Sequence, residues 1–135
     1  MDIVEYFNST NGRAVLATSD SHGKVNAAAY SKPHFMKDGL IALIMLERLT
    51  HHNLLSNPYA AYAFKEDENI SGGVRLYLLK IREEKNSELL NSLKKTSFSS
   101  NKRGNRYLVF FKIEKILPLV GSDQSKLPFE VPKSS

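Results

Sequence analysis

The sequence contains neither cysteine nor tryptophan among its 135 residues. Without cysteine the chain can form no disulfide framework and no thiolate metal site, and it has no thiol nucleophile. Its apolar runs are shorter than the ~20 residues of a membrane-spanning helix, and the N-terminus lacks the basic-then-apolar pattern of a secretory signal. These absences predict a cytoplasmic protein, and the length predicts a single domain with one core.

The common catalytic motifs are absent as well. The sequence has no Gly-x-Ser-x-Gly, no glycine-rich phosphate loop and no His-Glu-x-x-His. Glu83 and Glu84 precede Lys85 and are interpreted as a solvated strand end, and the pair Gly72-Gly73 is too short to indicate a nucleotide loop. We therefore predict no catalytic side chain and expect an organic cofactor to supply any chemistry.

The formal net charge of +5 suits an anionic partner. Much of the excess lies between residues 94 and 106, where basic side chains alternate with serine, threonine and asparagine. A nucleic-acid surface is one interpretation of this segment, and a solvated loop is the preferred one. The aromatic residues elsewhere fall inside apolar runs and offer no stacking platform. Nucleic acid is therefore not the expected partner, although a non-enzymatic binding module stays an alternative.

Apolar segments separated by turn residues predict six strands and three short helices. The predicted strands are 13–19, 24–31, 40–46, 59–64, 74–81 and 107–113, and the predicted helices are 3–8, 51–56 and 88–95. Pro33 ends the second strand, and the almost wholly apolar segment 40–46 is typical of a strand buried on both faces. The fold class is thus mainly β (α+β), an antiparallel closed or split barrel with short flanking helices. Residues 1–121 form the domain, and 122–135 an extended C-terminal arm.

The junction between the apolar strand and the second helix is the most informative segment. Thr50 is the expected N-cap of that helix, whose first N–H groups have no internal partner and carry the positive end of the helix dipole. Arg48, two residues upstream, adds charged donors, so this junction could bind a phosphate monoester. The alternative is that Thr50 only caps the helix and Arg48 only faces solvent.

His51 and His52 lie next to one another in the same helix. Adjacent helical residues point about 100° apart, so the two imidazoles cannot easily bind one ion. Glu47 precedes the helix, and no other carboxylate stands at a useful spacing. We predict no metal site; one histidine faces the phosphate region and the other faces solvent.

Several motifs, in order, resemble the pyridoxamine 5′-phosphate oxidase-related, FMN-binding split-barrel family. They are Arg13-Ala-Val-Leu-Ala-Thr18, Asp20-x-x-Gly23-x-Val25-Asn26-x-Ala28, Asp38-Gly39-x-Ile41 and Thr50-x-x-Asn53-Leu54-x-x-Asn57-Pro58-x-Ala60. The resemblance covers about residues 4 to 64. Residues 73–76 and 107–121 also fit the later strands of the family.

The resemblance implies a six-stranded antiparallel split β-barrel that forms a homodimer, with FMN at the subunit interface. The phosphate would lie at Arg48, Leu49 and Thr50, with Asn53 nearby. The second strand would border the isoalloxazine, where small side chains allow the ring to approach the backbone. The strand residues so implied are Ala28, Ala29, Tyr30, Ser31 and Lys32. Arg75 and Lys32 are further candidate anion contacts, across the interface or as plain surface charges.

The chain also departs from the family. Many members carry lysine where this chain has Thr50, so one charged phosphate ligand is lost or moved to Arg48. The C-terminal segment from Lys126 lacks the arginine-rich substrate site of the vitamin oxidases, so pyridoxamine phosphate oxidation is not expected. The leading hypothesis is an FMN-binding redox protein or small flavin-dependent reductase or oxidase. A deazaflavin- or haem-binding protein of the same fold is the alternative.

Overall fold

The computed structural model describes residues 1–93 and 104–131, within which seven strands and three α-helices occur. The helices are α1 (Ile3–Ser9), α2 (Leu49–Ser56) and α3 (Glu88–Leu93), and a short 3-10 helix covers Gln124–Lys126. The strands are β1 (Gly12–Ser19), β2 (Val25–Tyr30), β3 (His34–Phe35), β4 (Ile41–Leu46), β5 (Tyr59–Glu66), β6 (Gly73–Lys85) and β7 (Arg106–Pro118).

All strands join one sheet in the order β2-β1-β5-β6-β7-β4-β3, and every neighbouring pair is antiparallel. The sheet curls around a single main core as a split barrel, which confirms the fold class predicted from the sequence. Register shifts between Tyr77 and Leu78 and between Lys80 and Arg82 interrupt the β6–β7 pairing. Such bulges bend a strand and increase its twist, which helps a long hairpin to follow the curved wall.

The predicted number of six strands was wrong by one. Pro33 lies beyond the end of β2, but the chain then forms β3, in which His34 pairs with Ala42 and Phe35 pairs with Ile41. A strand of two residues has too little length to show a period in the sequence. β6 and β7 also extend beyond their predicted ends, because each continues to pair with the other.

The core forms where the alternating faces of the strands point inward. In β1, Ala14, Leu16 and Thr18 are buried while the residues between them face outward, as a strand with one buried face requires. β4 differs, because all residues from Ile41 to Met45 are buried. Its second face packs on Leu90 of α3, as expected for a strand covered on both sides.

The first helix packs against the main core through Tyr6 and Phe7. The Asp2 side chain caps this helix, because it accepts a hydrogen bond from the Glu5 amide at 2.9 Å. Tyr6 and Phe7 are the buried residues of α1, whereas Val4 is exposed. Phe129 packs against Tyr6 with ring centroids 5.2 Å apart, so the chain after β7 returns to this helix.

The basic stretch of the sequence falls mostly outside the described residues. Lys94, Lys95, Lys102 and Arg103 belong to the residues that are not described, as does the predicted end of the third helix at residues 94–95. Arg106 was assigned to the same loop, but it begins β7 and pairs with Leu46 of β4. Among the described residues, no helix is long and apolar enough to cross a membrane.

Candidate cofactor site

A cavity of about 600 Å³ opens between β2, the end of β4 and the start of α2. This volume lies within the range of small-molecule sites, roughly 300–1,000 Å³. Seven of the sequence-predicted residues line it: Ala28, Ala29, Tyr30, Ser31, Arg48, Leu49 and Thr50. Four further residues, which the sequence reasoning did not select for the site, complete the lining: Asn26, Ile44, Leu46 and Arg106.

The three other predicted residues are not among those that line the cavity in the described part of the chain. Asn53 is a buried residue of α2, and its Nδ2 donates to Thr18 Oγ1 of β1 at 3.1 Å. The Lys32 ammonium donates to the Phe7 carbonyl at 2.8 Å. Arg75 donates to the carbonyls of Pro118 and Gly121 at the far end of β7. Asn53 thus joins α2 to β1. Contacts of Asn53, Lys32 or Arg75 with a ligand stay predictions.

Helix α2 begins earlier than the sequence predicted. Its N-cap is Arg48, with extended backbone, and the Arg48 carbonyl already accepts from the His52 amide at 2.9 Å. The prediction of Thr50 as N-cap was therefore wrong, and no side chain of the described residues forms a hydrogen bond at the actual cap. The first-turn N–H groups begin at Leu49 and Thr50, both of which line the cavity. This end of the helix favours an anion.

Thr50 is tied to strand β2 instead of capping the helix. Its hydroxyl accepts a hydrogen bond from Asn26 Nδ2 at 3.2 Å, and its side chain is buried. Burial raises the pKa of the neighbouring Tyr30 phenol, whereas a hydrogen bond with Thr50 and the positive charge of Arg48 act in the opposite direction. The net direction is upward, so Tyr30 remains a neutral hydroxyl donor at physiological pH.

Arg106 supplies a second cationic side chain to the cavity. It is only 7% exposed, and its backbone is fixed by Asn86, whose side chain accepts from the Arg106 amide at 3.0 Å. The ladder places Arg106 opposite Leu46, two residues before Arg48. Sequence reasoning missed this role because the residue closes a polar, basic stretch. Its position directly before the apolar run 107–111 is the signal that could have indicated a strand.

The two adjacent histidines have different surroundings. His51 is 4% exposed, and its Nε2 lies 3.0 and 3.1 Å from the two carboxylate oxygens of Glu83, whereas His52 is exposed. His52 faces solvent, as expected of one of the two histidines. The other, His51, is buried and contacts Glu83 of β6. Among the described residues, no group of three His, Cys, Asp or Glu side chains could hold a metal ion.

Glu83 was interpreted as a solvated strand end, and the structure corrects this. Its side chain is only 25% exposed and also accepts from Lys80 Nζ at 2.6 Å. Partial burial alone would raise the pKa of Glu83, but the hydrogen bonds from Lys80 and His51 outweigh it and leave the pKa below its ordinary value. Glu83 is therefore ionised at neutral pH and compensated by its neighbours.

The site combines cationic groups with small side chains. Arg48 and Arg106 lie on the walls near the start of α2, and none of the described lining residues is acidic. Ala28 and Ala29 leave the backbone of β2 accessible to a flat ring, while Ile44 and Leu46 provide an apolar surface. This arrangement suits a planar organic ligand that carries an anionic group.

No family model and no curated protein matches the chain. Similar solved structures include an FMN-binding protein from Syntrophomonas wolfei (TM-score 0.68, 22% identity, 86% of this chain and 82% of that chain covered). The haem storage protein HutZ from Vibrio cholerae has a TM-score of 0.64 and 16% identity, with 86% of this chain and 91% of that chain covered. An F420 reductase has a TM-score of 0.60 and 14% identity, with 83% of this chain and 94% of that chain covered.

These similarities define the class of fold. The chain has the split-barrel fold of the pyridoxamine 5′-phosphate oxidase-like FMN-binding proteins.

Proposed function

We propose that this protein binds FMN in the cavity beside α2 and acts as a flavin-dependent redox protein. The observation that carries the proposal is the junction of β4 and α2, where Arg48 and the first two helical residues, Leu49 and Thr50, line one cavity with β2. These groups fit a phosphate monoester, because a guanidinium and the N-terminus of a helix both favour a dianion.

The remaining walls fit the ring system. Ala28 to Ser31 line the cavity, and β2 is an edge strand, so its N–H groups that do not pair with β1 could donate to the polar edge of the isoalloxazine. FMN supplies reversible electron or hydride transfer when it is bound. The residues of the chain bind and orient it, and fixed donors near the ring favour an anionic reduced state. We assign no side chain as acid or base.

FMN is favoured over the two alternative cofactors of this fold. Haem usually takes a histidine, cysteine, methionine or tyrosine ligand, and among the described lining residues only Tyr30 belongs to that set. F420, a deazaflavin, carries a long acidic tail, which would extend beyond Arg48 along the protein surface. The cavity offers walls for a ring system and, at the start of α2, groups for one phosphate.

We also propose a homodimer, formed through the outer face of β1 and β2. In-register pairs on this face are apolar and exposed, such as Val15 with Ala29 and Ala17 with Ala27. A solvated sheet face ordinarily carries polar residues, so this pattern favours a protein interface. Ala29 belongs both to this face and to the cavity lining, which suggests that a second subunit would border the ligand.

The cytoplasmic location stays a prediction.

The absorption spectrum of the purified protein tests the cofactor. We expect flavin bands that survive desalting after FMN is added, at about one FMN per chain. A Soret band would favour haem, and retention of F420 but not FMN would favour the deazaflavin. A protein that retains none of the three would contradict the proposal.

Sedimentation tests the dimer. The wild-type protein should sediment as a dimer, and Ala27→Glu should sediment as a monomer, because it places a charge on the apolar face. His22→Glu, in an exposed turn, is the control and should stay dimeric. A monomeric wild type would contradict the homodimer.

A further inference from the structure

His51 lies at the centre of a cluster that the proposed cofactor contacts do not use. Its ring stacks on Tyr107 of β7, with centroids 3.7 Å apart and planes 16° apart. Its Nε2 meets both carboxylate oxygens of Glu83 on β6. The His51 cluster (His51, Tyr107, Glu83 and Lys80) therefore joins the first turn of α2 to two strands of the barrel.

A second contact fixes the chain just before the helix. The Tyr107 hydroxyl donates to Glu47 Oε1 at 3.1 Å. Glu47 and His51 flank residues 48–50, all three of which line the cavity. Both ends of that short segment are thus attached to one residue, Tyr107, by a hydrogen bond on one side and a ring contact on the other.

The charges in the cluster are balanced. Glu83 accepts from His51 and from Lys80 Nζ, and the latter distance is 2.6 Å. The helix therefore gains a charge-assisted hydrogen bond to the sheet, which is stronger than a neutral one. Because Lys80 stays beside Glu83, a substitution at His51 does not leave that carboxylate without a partner.

We propose that His51 is a positioning residue for phosphate recognition. It holds the first turn of α2 against β6 and β7, so that Arg48 and the first helical amides face the cavity in one fixed arrangement. This inference rests on the proposed FMN site. A binding group whose orientation is fixed in advance loses less conformational freedom when the ligand arrives. His51 acts through Arg48 and the helix amides, without contacting the ligand.

Two substitutions separate the contacts of His51. His51→Phe keeps an aromatic ring for Tyr107 and removes the hydrogen bond to Glu83. His51→Gln keeps an amide N–H that can donate to Glu83 and removes the ring. His52→Phe is the matched control, because His52 is the exposed neighbour in the same helix. Should His51→Phe fail to fold, Glu83→Gln weakens the same charged bond from the other side.

The readout is the ratio of the dissociation constants for riboflavin and FMN, which differ by one phosphate. We expect His51→Phe to weaken FMN binding roughly tenfold, as loss of a charged hydrogen bond would, while riboflavin binding is unchanged. His51→Gln should stay closer to the wild type than His51→Phe, and His52→Phe should match the wild type. Without ligand, amides 49–51 should exchange faster in His51→Phe than in His52→Phe.

The outcomes distinguish this inference from the proposed function. A wild-type protein that binds FMN no more tightly than riboflavin refutes the phosphate site, and the positioning role falls with it. A wild type that prefers FMN, with the same ratio in His51→Phe or Glu83→Gln, keeps the proposed function and refutes the role of His51. Equal weakening of both ligands means that His51 only stabilises the fold, which also overturns the inference.

Discussion

Replacement of Arg48 by alanine is the most informative single perturbation of the site. Arg48 is the N-cap of α2 and lines the same cavity as Thr50, so its guanidinium and the first helical amides can act on one bound phosphate. A hydrogen bond to a charged group contributes about 1.5–3 kcal/mol. Arg48 is exposed, and solvent screening places its contribution near the lower end of that range. We therefore expect FMN to bind about tenfold more weakly to Arg48→Ala.

Titration of the apo-protein with FMN, followed by flavin fluorescence, measures this change. Lys112→Ala is the control, because it removes one positive charge from an exposed position on β7. The effect of Arg48→Ala should decrease at high salt, and riboflavin binding should be unaffected. An FMN dissociation constant equal to that of Lys112→Ala would remove Arg48 from the site and refute the reasoning from the helix end.

Three further predictions concern stability. Tyr6→Phe removes the 2.7 Å hydrogen bond to Glu66 and should lower the unfolding free energy in urea by about 1 kcal/mol. Thr18→Val leaves the buried Nδ2 of Asn53 without its acceptor and should cost about 1–3 kcal/mol, whereas Thr18→Ser should cost less. Burial raises the pKa of Tyr62 above its ordinary value of 10.0. The folded state favours the neutral phenol, so the contribution of Tyr62 to folding stability is fully present below pH 10.0 and is lost as the pH rises above it. The melting temperature should therefore fall in alkaline buffer.

Each stability prediction has a result that would contradict it. Unchanged urea midpoints for Tyr6→Phe or Thr18→Val would show that the bond in question contributes nothing net. For Tyr62, the phenylalanine variant should lose less of its melting temperature between pH 9 and pH 11 than the wild type. Equal losses in the two proteins would assign the alkaline effect to other groups.

The sequence predicted the parts of the fold that depend on local pattern. The apolar run 13–19 indicated a strand, and the continuous apolar run 40–46 indicated a strand buried on both faces, and both were confirmed. Strand β3 was missed because two residues have no period, and its existence depends on pairing with Ile41 and Ala42. That pairing is a tertiary contact, and no local propensity reports it.

The site was predictable where one chain segment forms it. The junction from Arg48 to Thr50 was found from the chemistry of a helix start, although the N-cap itself was placed two residues too late. Arg106 was missed because it reaches the cavity through the β4–β7 ladder, 60 residues after Leu46. The contact of His51 with Glu83 joins a helix to a distant strand in the same way. Contacts between such distant segments depend on how the strands are arranged in the sheet, and the spacing of residues in the sequence does not predict that arrangement.

A crystal structure of the protein with FMN tests the central claim most directly. We predict the phosphate within hydrogen-bonding distance of Arg48 and of the amides that begin α2, with the ring along Ala28 and Ala29 of β2. FMN held elsewhere on the barrel, or with its phosphate away from the start of α2, would contradict the account.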